Sequence, residues 1–430
     1  MRRRAPLVAV LAANAVSQMG DMMVAVALPW FVLETTGSIV AMGFAGAAIG
    51  TGVVVSSATG GPLVDRLGSR RASIYSDLAA GAAVLAIPLI YATGNLEFWQ
   101  FLVLVFFVAV FNAPGDVARR TLLPVLARRA DTPLERANAA DTAIPRVAQL
   151  AGPILGGVLV AVIGAANVLI LDAATFLMSA ALVAFGVRTG ASSEEEASDE
   201  SAETARDVRL FADTRLLGDP IRRYFSDLVE GLRFLRSNTL VLSMVFIASV
   251  ANLIEKPLMS VVTPVYAESF YGSAAAFGVM LAAFGAGAVA GTVLYGIFGQ
   301  RLPRRLTFLV GLIFGPLLLF GALIATPPLP VVLISVALSG LFFGPMNSLS
   351  AIAVQETTPE EMLGRTFGTI TALSTVGIPL GTVLIAAAAE TAGIISTLIG
   401  MGSVYVLLAI AMFFNPALKQ MDTARRNGGP

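Results

Sequence analysis

The sequence has no cysteine and no histidine, and few charged residues for its length. Without cysteine it can form no disulfide and perform no thiolate chemistry. Without histidine it lacks the usual transition-metal ligands, so any proton exchanged near neutral pH must be carried by a carboxyl group. Because the sequence also has no phosphate-binding loop and no residues at metal-ligand spacing, we expect neither an enzyme nor a bound cofactor.

The remaining composition is typical of a membrane protein. Only 13% of the 430 residues are charged and 56% are hydrophobic, whereas soluble proteins have about a quarter of their residues charged. Runs of roughly 20 apolar residues recur along the chain, each long enough to cross a bilayer as a helix. The 28 basic and 28 acidic residues balance, so nucleic acid is not expected as a partner. We predict an all-α integral membrane protein surrounded by lipid.

Hydropathy predicts twelve spans, six before and six after a polar insert. They cover residues 8–33, 39–64, 72–91, 98–117, 137–163, 165–187, 240–266, 275–298, 306–325, 331–354, 366–389 and 394–414. This order predicts an N-terminal six-helix bundle (1–188), a linker region (189–237), a C-terminal six-helix bundle (238–416) and a tail (417–430).

Basic residues are confined to alternate loops and the two chain ends. They include Arg66, Arg70, Arg71, Arg128, Arg129, Arg136, Arg301, Arg304, Arg305, Arg365, Lys419, Arg425 and Arg426. The intervening loops, such as "ETTGS", "YATGNLEF", "ATPPLP" and "ETAGI", contain no lysine or arginine. Since positively charged loops stay inside the cell, both termini are predicted to be cytoplasmic.

The polar insert has an acidic segment followed by a basic, amphipathic one. Residues 191–207, "ASSEEEASDESAETARD", are too acidic and too poor in apolar residues to form a core, which predicts a flexible cytoplasmic linker. Beyond it, apolar residues at helical spacing alternate with arginines and predict an amphipathic helix on the inner membrane face, with a structural role. The apolar residues are Phe225, Leu228, Leu232 and Leu235.

The two halves repeat each other in parallel order. "DTPLERANAADTAIPRVAQLAGPILGG" from Asp131 resembles "TTPEEMLGRTFGTITALSTVGIPLG" from Thr357. Similarly, "GIFGQRLPRR" (296–305) resembles "GPLVDRLGSRR" (61–71), with Gln300 in the place of Asp65. Such a repeat is what a transporter requires when two bundles move about a central site.

The segment "GGPLVDRLGSRR" (60–71) lies at the predicted cytoplasmic end of span 2. Gly61 permits close approach of a neighbouring helix, and Asp65 lies where the hydrocarbon ends. A carboxylate there needs an arginine or the positive N-terminus of a helix as its partner. The arginines hold the loop at the anionic inner surface.

This segment resembles motif A of the major facilitator superfamily, G-x-x-x-D-R-x-G-x-R-R. The matching residues are Gly61, Asp65, Arg66, Gly68, Arg70 and Arg71, and the resemblance extends over the whole chain. It implies the major facilitator fold, two six-helix bundles related by a parallel repeat. In that family the motif holds the outward-facing state through charges on helix 4 and the start of helix 11. Here helix 4 offers Asp116, Arg119 and Arg120, and helix 11 begins near Thr366. Ser69 stands where the family often has an arginine.

A second motif indicates export. "RVAQLAGPILGG" on span 5, with Arg146, Gly152, Pro153, Gly156 and Gly157, resembles motif C of antiporters, G-P-x-x-G-G. These residues kink a helix and allow close packing, which that family uses to seal a leak path. "NAVSQMGDMMVAVALPWFVLETTGS", "ANAADT" and "LDAATF" resemble the drug:proton antiporters of the macrolide-efflux and Tap-type group. The resemblance implies a monomer in the bacterial cytoplasmic membrane.

Asp21, Glu255 and Lys256 are predicted to lie deep in the hydrocarbon. Asp21 is about 20 Å along its span and the other two are about 25 Å along theirs, at ~1.5 Å per residue. Ionisable residues at such depth are costly and usually functional, so Asp21 and Glu255 are the candidate proton carriers. Adjacent helical residues point about 100° apart, so Glu255 and Lys256 need not pair. Structural ion pairs remain the alternative for all three.

Other polar residues in the predicted spans are typical of an apolar binding pocket that contains a few hydrogen-bonding groups. The resemblance implies that helices 1, 4, 7 and 10 line the cavity, which makes candidate substrate-binding residues of Asn14, Gln18, Asp21, Asn112, Asn252, Glu255, Lys256, Phe342 and Asn347. Arg146 is expected to form a salt bridge with Asp21, Asp141 or Asp172. Asp172 itself is expected to be structural.

These observations favour a proton-coupled exporter of drugs or similar amphipathic molecules, with no cofactor. Three alternatives stay open. The protein could export a dedicated siderophore, lipid or secondary metabolite, act as a uniporter, or be a membrane scaffold without transport.

Overall fold

The part of the chain that the structure describes contains twelve helices long and apolar enough to cross a membrane, which confirms the predicted number. A computed structural model describes residues 4–187, 232, 233, 235, 236, 238–359 and 362–421. No strand occurs in these residues. The acidic segment 191–207 and most of the predicted amphipathic helix lie outside them. Of that helix, Leu235 is fully buried against Val241, Val245 and Val354 of the C-terminal half.

We label the spans α1 to α12. The first six are α1 (Ala5–Thr36), α2 (Ile39–Leu67), α3 (Ser69–Ala92), α4 (Phe98–Arg129), α5 (Leu134–Ile163) and α6 (Ala165–Gly186). The others are α7 (Thr239–Tyr271), α8 (Ala274–Phe298), α9 (Arg304–Ala325), α10 (Leu329–Thr357), α11 (Leu363–Thr375 and Ile378–Ala392) and α12 (Ile394–Phe414).

Several helices extend beyond their predicted ends. Hydropathy ends the fourth span at residue 117, but α4 continues to Arg129 and has Arg128 and Arg129 in its last turn. Basic residues at a helix C-terminus interact favourably with the helix dipole. The hydrophobic signal therefore marks the lipid-embedded part of the helix and not its full length.

The turns between helices are short and capped. Gly37 ends α1 with a φ of 62°, and the Ser38 side chain accepts a hydrogen bond from Ala41 N–H at the start of α2. Ser273 caps α8 in the same way. α7 contains one π-helical turn, Leu258–Val262, directly after Lys256 and Pro257. π turns occur frequently at functional sites.

The helices form two sets with the same pairing. In the first set α2 and α3 pack on α4, α3 packs on α6, and α1 packs on α5. In the second set α8 and α9 pack on α10, α9 packs on α12, and α7 packs on α11. Each of these four pairings recurs six helices later, as the sequence repeat predicts, whereas the extensive contact between α1 and α6 has only a small counterpart between α7 and α12.

One arginine contact is also repeated. Arg70, at the start of α3, donates a hydrogen bond to the Ala184 carbonyl near the end of α6 at 2.6 Å. Arg305, at the start of α9, donates to the Phe413 carbonyl near the end of α12 at 3.0 Å. Each arginine satisfies a carbonyl that the end of a helix leaves without an intrahelical partner. The two halves thus share a side-chain interaction as well as a helix order.

Candidate functional site

A cavity of about 430 Å³ lies between the two sets of helices. Its polar lining comes from Asp21 (α1), Asn112 and Asp116 (α4), and Lys256 and Ser260 (α7). The remaining lining is apolar and consists of Val24, Ala25, Leu28, Pro29, Ile49, Val53, Val105, Val108, Ala109, Ala113, Met259 and Leu281. A pocket with mostly apolar walls and a few polar groups suits an organic small molecule.

Asp21 is half-buried in the wall of this cavity. Asn112 Nδ2 donates a hydrogen bond to Asp21 Oδ1 at 2.8 Å. The other end of that amide, Asn112 Oδ1, is buried and receives no hydrogen bond within the described residues. No ion pair of the described residues includes Asp21. Its carboxyl group therefore faces the cavity beside an amide and without a cationic partner.

Behind the cavity wall lies a buried network around Arg119, whose side chain is 1% exposed. Arg119 Nη1 lies 2.8 Å from Asp77 Oδ1, and Nη2 lies 2.6 Å from Asp116 Oδ1. Ser179 on α6 donates to Asp77 at 2.7 Å, and Gln18 on α1 donates to Asp116 at 3.1 Å. The network joins four helices, and through Asp116 it reaches the cavity.

Asp77 did not emerge from the sequence as a candidate. It lies near the start of the predicted third span, which begins at residue 72. In the structure it is 1% exposed and bound to Arg119 of α4. An arginine and an aspartate near the same end of consecutive spans is the signal that could have paired them.

The motif A residues lie at the arginine-rich end, where α2 meets α3. Asp65 and Arg66 are exposed, and Gly68 has a φ of 76°, which favours glycine. Ser69 accepts a hydrogen bond from Thr121 of α4 at 2.8 Å. Arg71 and Arg120 are also exposed. Asp65 does not meet Arg119 in this conformation, because Arg119 is held by Asp77 and Asp116.

Glu255 and Lys256 point in different directions, as their helical spacing allows. Lys256 is exposed and lines the cavity opposite Asp21 and Asp116. Glu255 does not belong to that lining. Of the two predicted proton carriers, only Asp21 lies on the cavity between the halves.

The other predicted substrate-binding residues also lie outside the cavity lining. Asn14 donates to Asp141 of α5 at 2.9 Å, and Asn252 donates to the Ser374 carbonyl of α11 at 3.2 Å. Phe342 stacks on Phe314 of α9, with ring centroids 5.8 Å apart. Asn347 is exposed. In this conformation the hydrogen bonds and ring contact of the first three hold helices together.

The salt bridge expected for Arg146 is not found. The side chain of Arg146 is exposed, and no ion pair among the described residues joins it to Asp21, Asp141 or Asp172. Asp141 is occupied by Asn14 instead. Asp172 is 1% exposed and lies on the face of α6 that packs against α1.

The glycines of motif C are packing residues. A Cβ added to Gly152 or Gly156 would overlap Met22 or Met23 of α1. A Cβ on Gly157 would lie 2.7 Å from the carbonyl oxygen of Ala274 on α8, and one on Gly278 of α8 would overlap the Pro153 carbonyl of α5. The backbones of α5 and α8 therefore touch directly, and they join the two halves.

A second contact joins the halves at the end opposite the arginines, between α2 and α11. Gly43 lies against Ala386, and Gly50 lies against Pro379. At the start of α2 the Glu390 carboxylate of α11 accepts hydrogen bonds from the Ser38 hydroxyl at 3.1 Å and Val40 N–H at 2.6 Å. Glu390 thereby caps a helix of the other half, and this end of the protein is closed.

Comparisons with known proteins agree with this geometry. The model of the Major Facilitator Superfamily matches residues 10–272 and 241–428. The multidrug efflux pump Tap of Mycolicibacterium fortuitum is 28% identical over 99% of both chains. Macrolide efflux protein A of Streptococcus pyogenes is 20% identical over 96% of both.

Solved structures show the same fold. The nucleoside transporter NupG has a TM-score of 0.72 at 11% identity, over 95% of this chain and 99% of NupG. A bacterial homologue of the human lysosomal transporter Spinster has a TM-score of 0.70 at 13% identity, over 98% of both chains. With twelve spans, a repeated helix pairing and a family match over most of its length, this chain belongs to the major facilitator superfamily.

Proposed function

We propose that this protein exports drugs or similar amphipathic organic molecules across the bacterial cytoplasmic membrane in exchange for protons. The observation that carries the proposal is the cavity between the halves, largely apolar but with the Asp21 carboxyl in its wall and no cation bound to it among the described residues. The similarity to multidrug and macrolide efflux proteins supports the cargo class.

The arginine-rich loops support an orientation in which that end of the protein and both termini are cytoplasmic, because positively charged loops stay inside the cell. The contacts of Glu390, Gly157 and Gly278 then close the outer side, so the described conformation faces inward. A monomer is sufficient, because the cavity is lined by one chain.

The exchange depends on competition between a proton and the cargo at the Asp21 carboxyl group. In the outward-facing state the carboxylate binds a proton from outside, and the neutral acid no longer attracts charge or water into the cavity. After the halves rock inward, cargo enters from the cytoplasm or the inner leaflet, and Asp21 releases its proton to the cytoplasm. Asp116 and Lys256 offer the cargo charges of opposite sign on opposite walls. The cargo leaves when the outer side opens.

The proposal is tested in everted membrane vesicles that are acidified inside by respiration. Adding erythromycin or ethidium is expected to release protons from the lumen, which restores the fluorescence of a quenched acridine dye. Vesicles without the protein serve as the control. If collapsing the pH gradient with nigericin leaves accumulation of both probes unchanged, coupling to protons is wrong.

In the proposed cycle, Asp65 stabilises the outward-facing state. Closing the cytoplasmic side brings the end of α2 toward the start of α11, where unpaired N–H groups favour a carboxylate. Asp65→Asn is expected to slow ethidium efflux severalfold with an unchanged melting temperature, since Asp65 is exposed in the inward-facing state. A variant that transports at the normal rate would show that the aspartate does not hold the outward-facing state.

The outer closure can be tested with cysteine chemistry, because the chain has no cysteine of its own. Ser260→Cys places a thiol in the cavity, where an external impermeant maleimide should reach it only when the outer side opens. Gly278→Ala forces a methyl group against the Pro153 carbonyl. Such overpacking costs about 1–3 kcal/mol, so labelling should rise by about tenfold.

Gly296→Ala is the matched control, since a Cβ at Gly296 on the same helix meets nothing within 4 Å. Equal labelling of the Gly278→Ala and Gly296→Ala proteins would mean that the contact between α5 and α8 does not close the outer side.

A further inference from the structure

Asp172 on α6 is buried beside the candidate proton carrier. Its side chain is 1% exposed, and its carboxylate contacts Gly20 of α1 so closely that a Cβ on Gly20 would overlap Asp172 Oδ1. Gly20 immediately precedes Asp21. Because α1 packs on α6, the Asp172 carboxyl lies one residue from Asp21 along the facing helix. The two acids therefore form a neighbouring pair on facing helices.

No cation in the described part of the chain neutralises Asp172. Its one hydrogen-bond donor there is the Thr175 hydroxyl at 3.2 Å, which also bonds to the Asp172 carbonyl at 2.8 Å. From the helices around it, α1 contributes Asp21, α3 contributes Asp77 and α4 contributes Asp116 and Arg119. Arg119 is already bound by Asp77 and Asp116.

The charges in this region do not balance without protons. Of the carboxyl groups Asp21, Asp77, Asp116 and Asp172, two bind the Arg119 guanidinium, and Lys256 across the cavity forms an ion pair with none of the four among the described residues. An uncompensated ionised carboxylate inside a protein is very costly and is avoided by binding a proton. Asp77 and Asp116 both bind Arg119, so that cluster keeps one negative charge, whereas no ion pair of the described residues includes Asp21 or Asp172. Asp21 and Asp172 are therefore the carboxyl groups that a proton stabilises most.

An independent observation also indicates a proton at this pair. Asn112 Oδ1 is a buried acceptor without a donor among the described residues, although Asn112 Nδ2 already bonds to Asp21. Leaving a buried acceptor unsatisfied costs about 1–3 kcal/mol. A protonated Asp21 has an O–H that could satisfy it, and an ionised Asp21 has none. The Asn112 amide can therefore satisfy both of its polar atoms at Asp21 only when Asp21 is protonated.

We propose that Asp172 is a second proton-binding residue, so that the protons bound at this site are distributed between the carboxyl groups of Asp21 and Asp172. The inference rests on the proposed proton antiport. Asp172 lies behind Asp21 as seen from the cavity, so it cannot contact cargo and acts only through the proton balance of the pair. When cargo displaces the proton at Asp21, the charge on that carboxylate determines whether Asp172 keeps or releases its own proton.

The test measures protons released from purified protein in weakly buffered detergent solution when ethidium is added, over a range of pH. Asp172→Asn should release fewer protons per bound ethidium, and its release profile should move to lower pH because a neighbouring negative charge is lost. Thr175→Val should move the profile to higher pH, since it removes the hydroxyl that favours the ionised form of Asp172.

If Asp172 were merely structural, the two substitutions would not be expected to shift the pH profile of proton release in opposite directions. If Asp172→Asn does not fold, Thr175→Val alone decides, because it keeps the carboxyl group. Profiles and proton counts like those of the unmodified protein in every variant that folds would overturn the role of Asp172 but leave antiport intact. If the unmodified protein binds ethidium and releases no proton at any pH, antiport itself fails.

Discussion

In everted vesicles the Asp21→Asn variant is expected to accumulate erythromycin and ethidium no faster than vesicles without the protein. Asparagine has nearly the shape of aspartate and can still accept the hydrogen bond from Asn112 Nδ2. It cannot bind and release a proton. The substitution therefore removes the coupling step while leaving the cavity its size, its apolar lining and Lys256 on the opposite wall.

Two further measurements separate lost coupling from lost binding. Exchange of labelled for unlabelled ethidium without a gradient should persist in Asp21→Asn, since it requires no net proton movement. Asp141→Asn is the matched control, because Asp141 bonds to Asn14 outside the cavity lining, and it should retain gradient-driven uptake. Full gradient-driven uptake by Asp21→Asn would exclude Asp21 as the proton carrier.

Removing Arg119 is expected to cause the largest loss of stability. Arg119→Met leaves Asp77 buried without its cation, and Asp77 is 1% exposed. Breaking a buried ion pair by removing one partner costs about 3–5 kcal/mol. We expect a clearly lower melting temperature in detergent and less folded protein in the membrane.

The neighbouring Arg120 provides the control, because it is exposed and Arg120→Met should melt near the unmodified protein. Adding Asp77→Asn to Arg119→Met should recover some of the loss, since a neutral amide replaces the unpaired charge. Equal melting temperatures for the Arg119→Met and Arg120→Met proteins would show that the buried pair does not stabilise the fold.

The number of spans and their order could be predicted from the sequence. Bilayer thickness determines how long an apolar run must be, and hydropathy depends only on which residues are adjacent. The same signal could not give helix ends, because α2 and α4 continue beyond their apolar runs through Arg66 and Arg128. The sequence repeat predicted the pairing of helices, because two similar halves bury similar faces.

The partners of the charged residues could not be predicted in this way. Hydropathy gives depth but not the direction in which a side chain points around its helix. Nothing in the sequence decided that Lys256 faces the cavity and Glu255 does not. Arg119 was predicted to take part in the motif A latch, whereas it binds Asp77 of α3 and Asp116 of its own helix. Arg146 was expected to pair with an acid because it was predicted to lie deep in its span, but its side chain is exposed.

Between α5 and α8 the two halves meet main chain against main chain, at Gly157 with Ala274 and at Gly278 with Pro153. A change of side-chain rotamer cannot separate backbones that touch. In the proposed export cycle, α5 and α8 must therefore move apart as whole helices before cargo can leave between them.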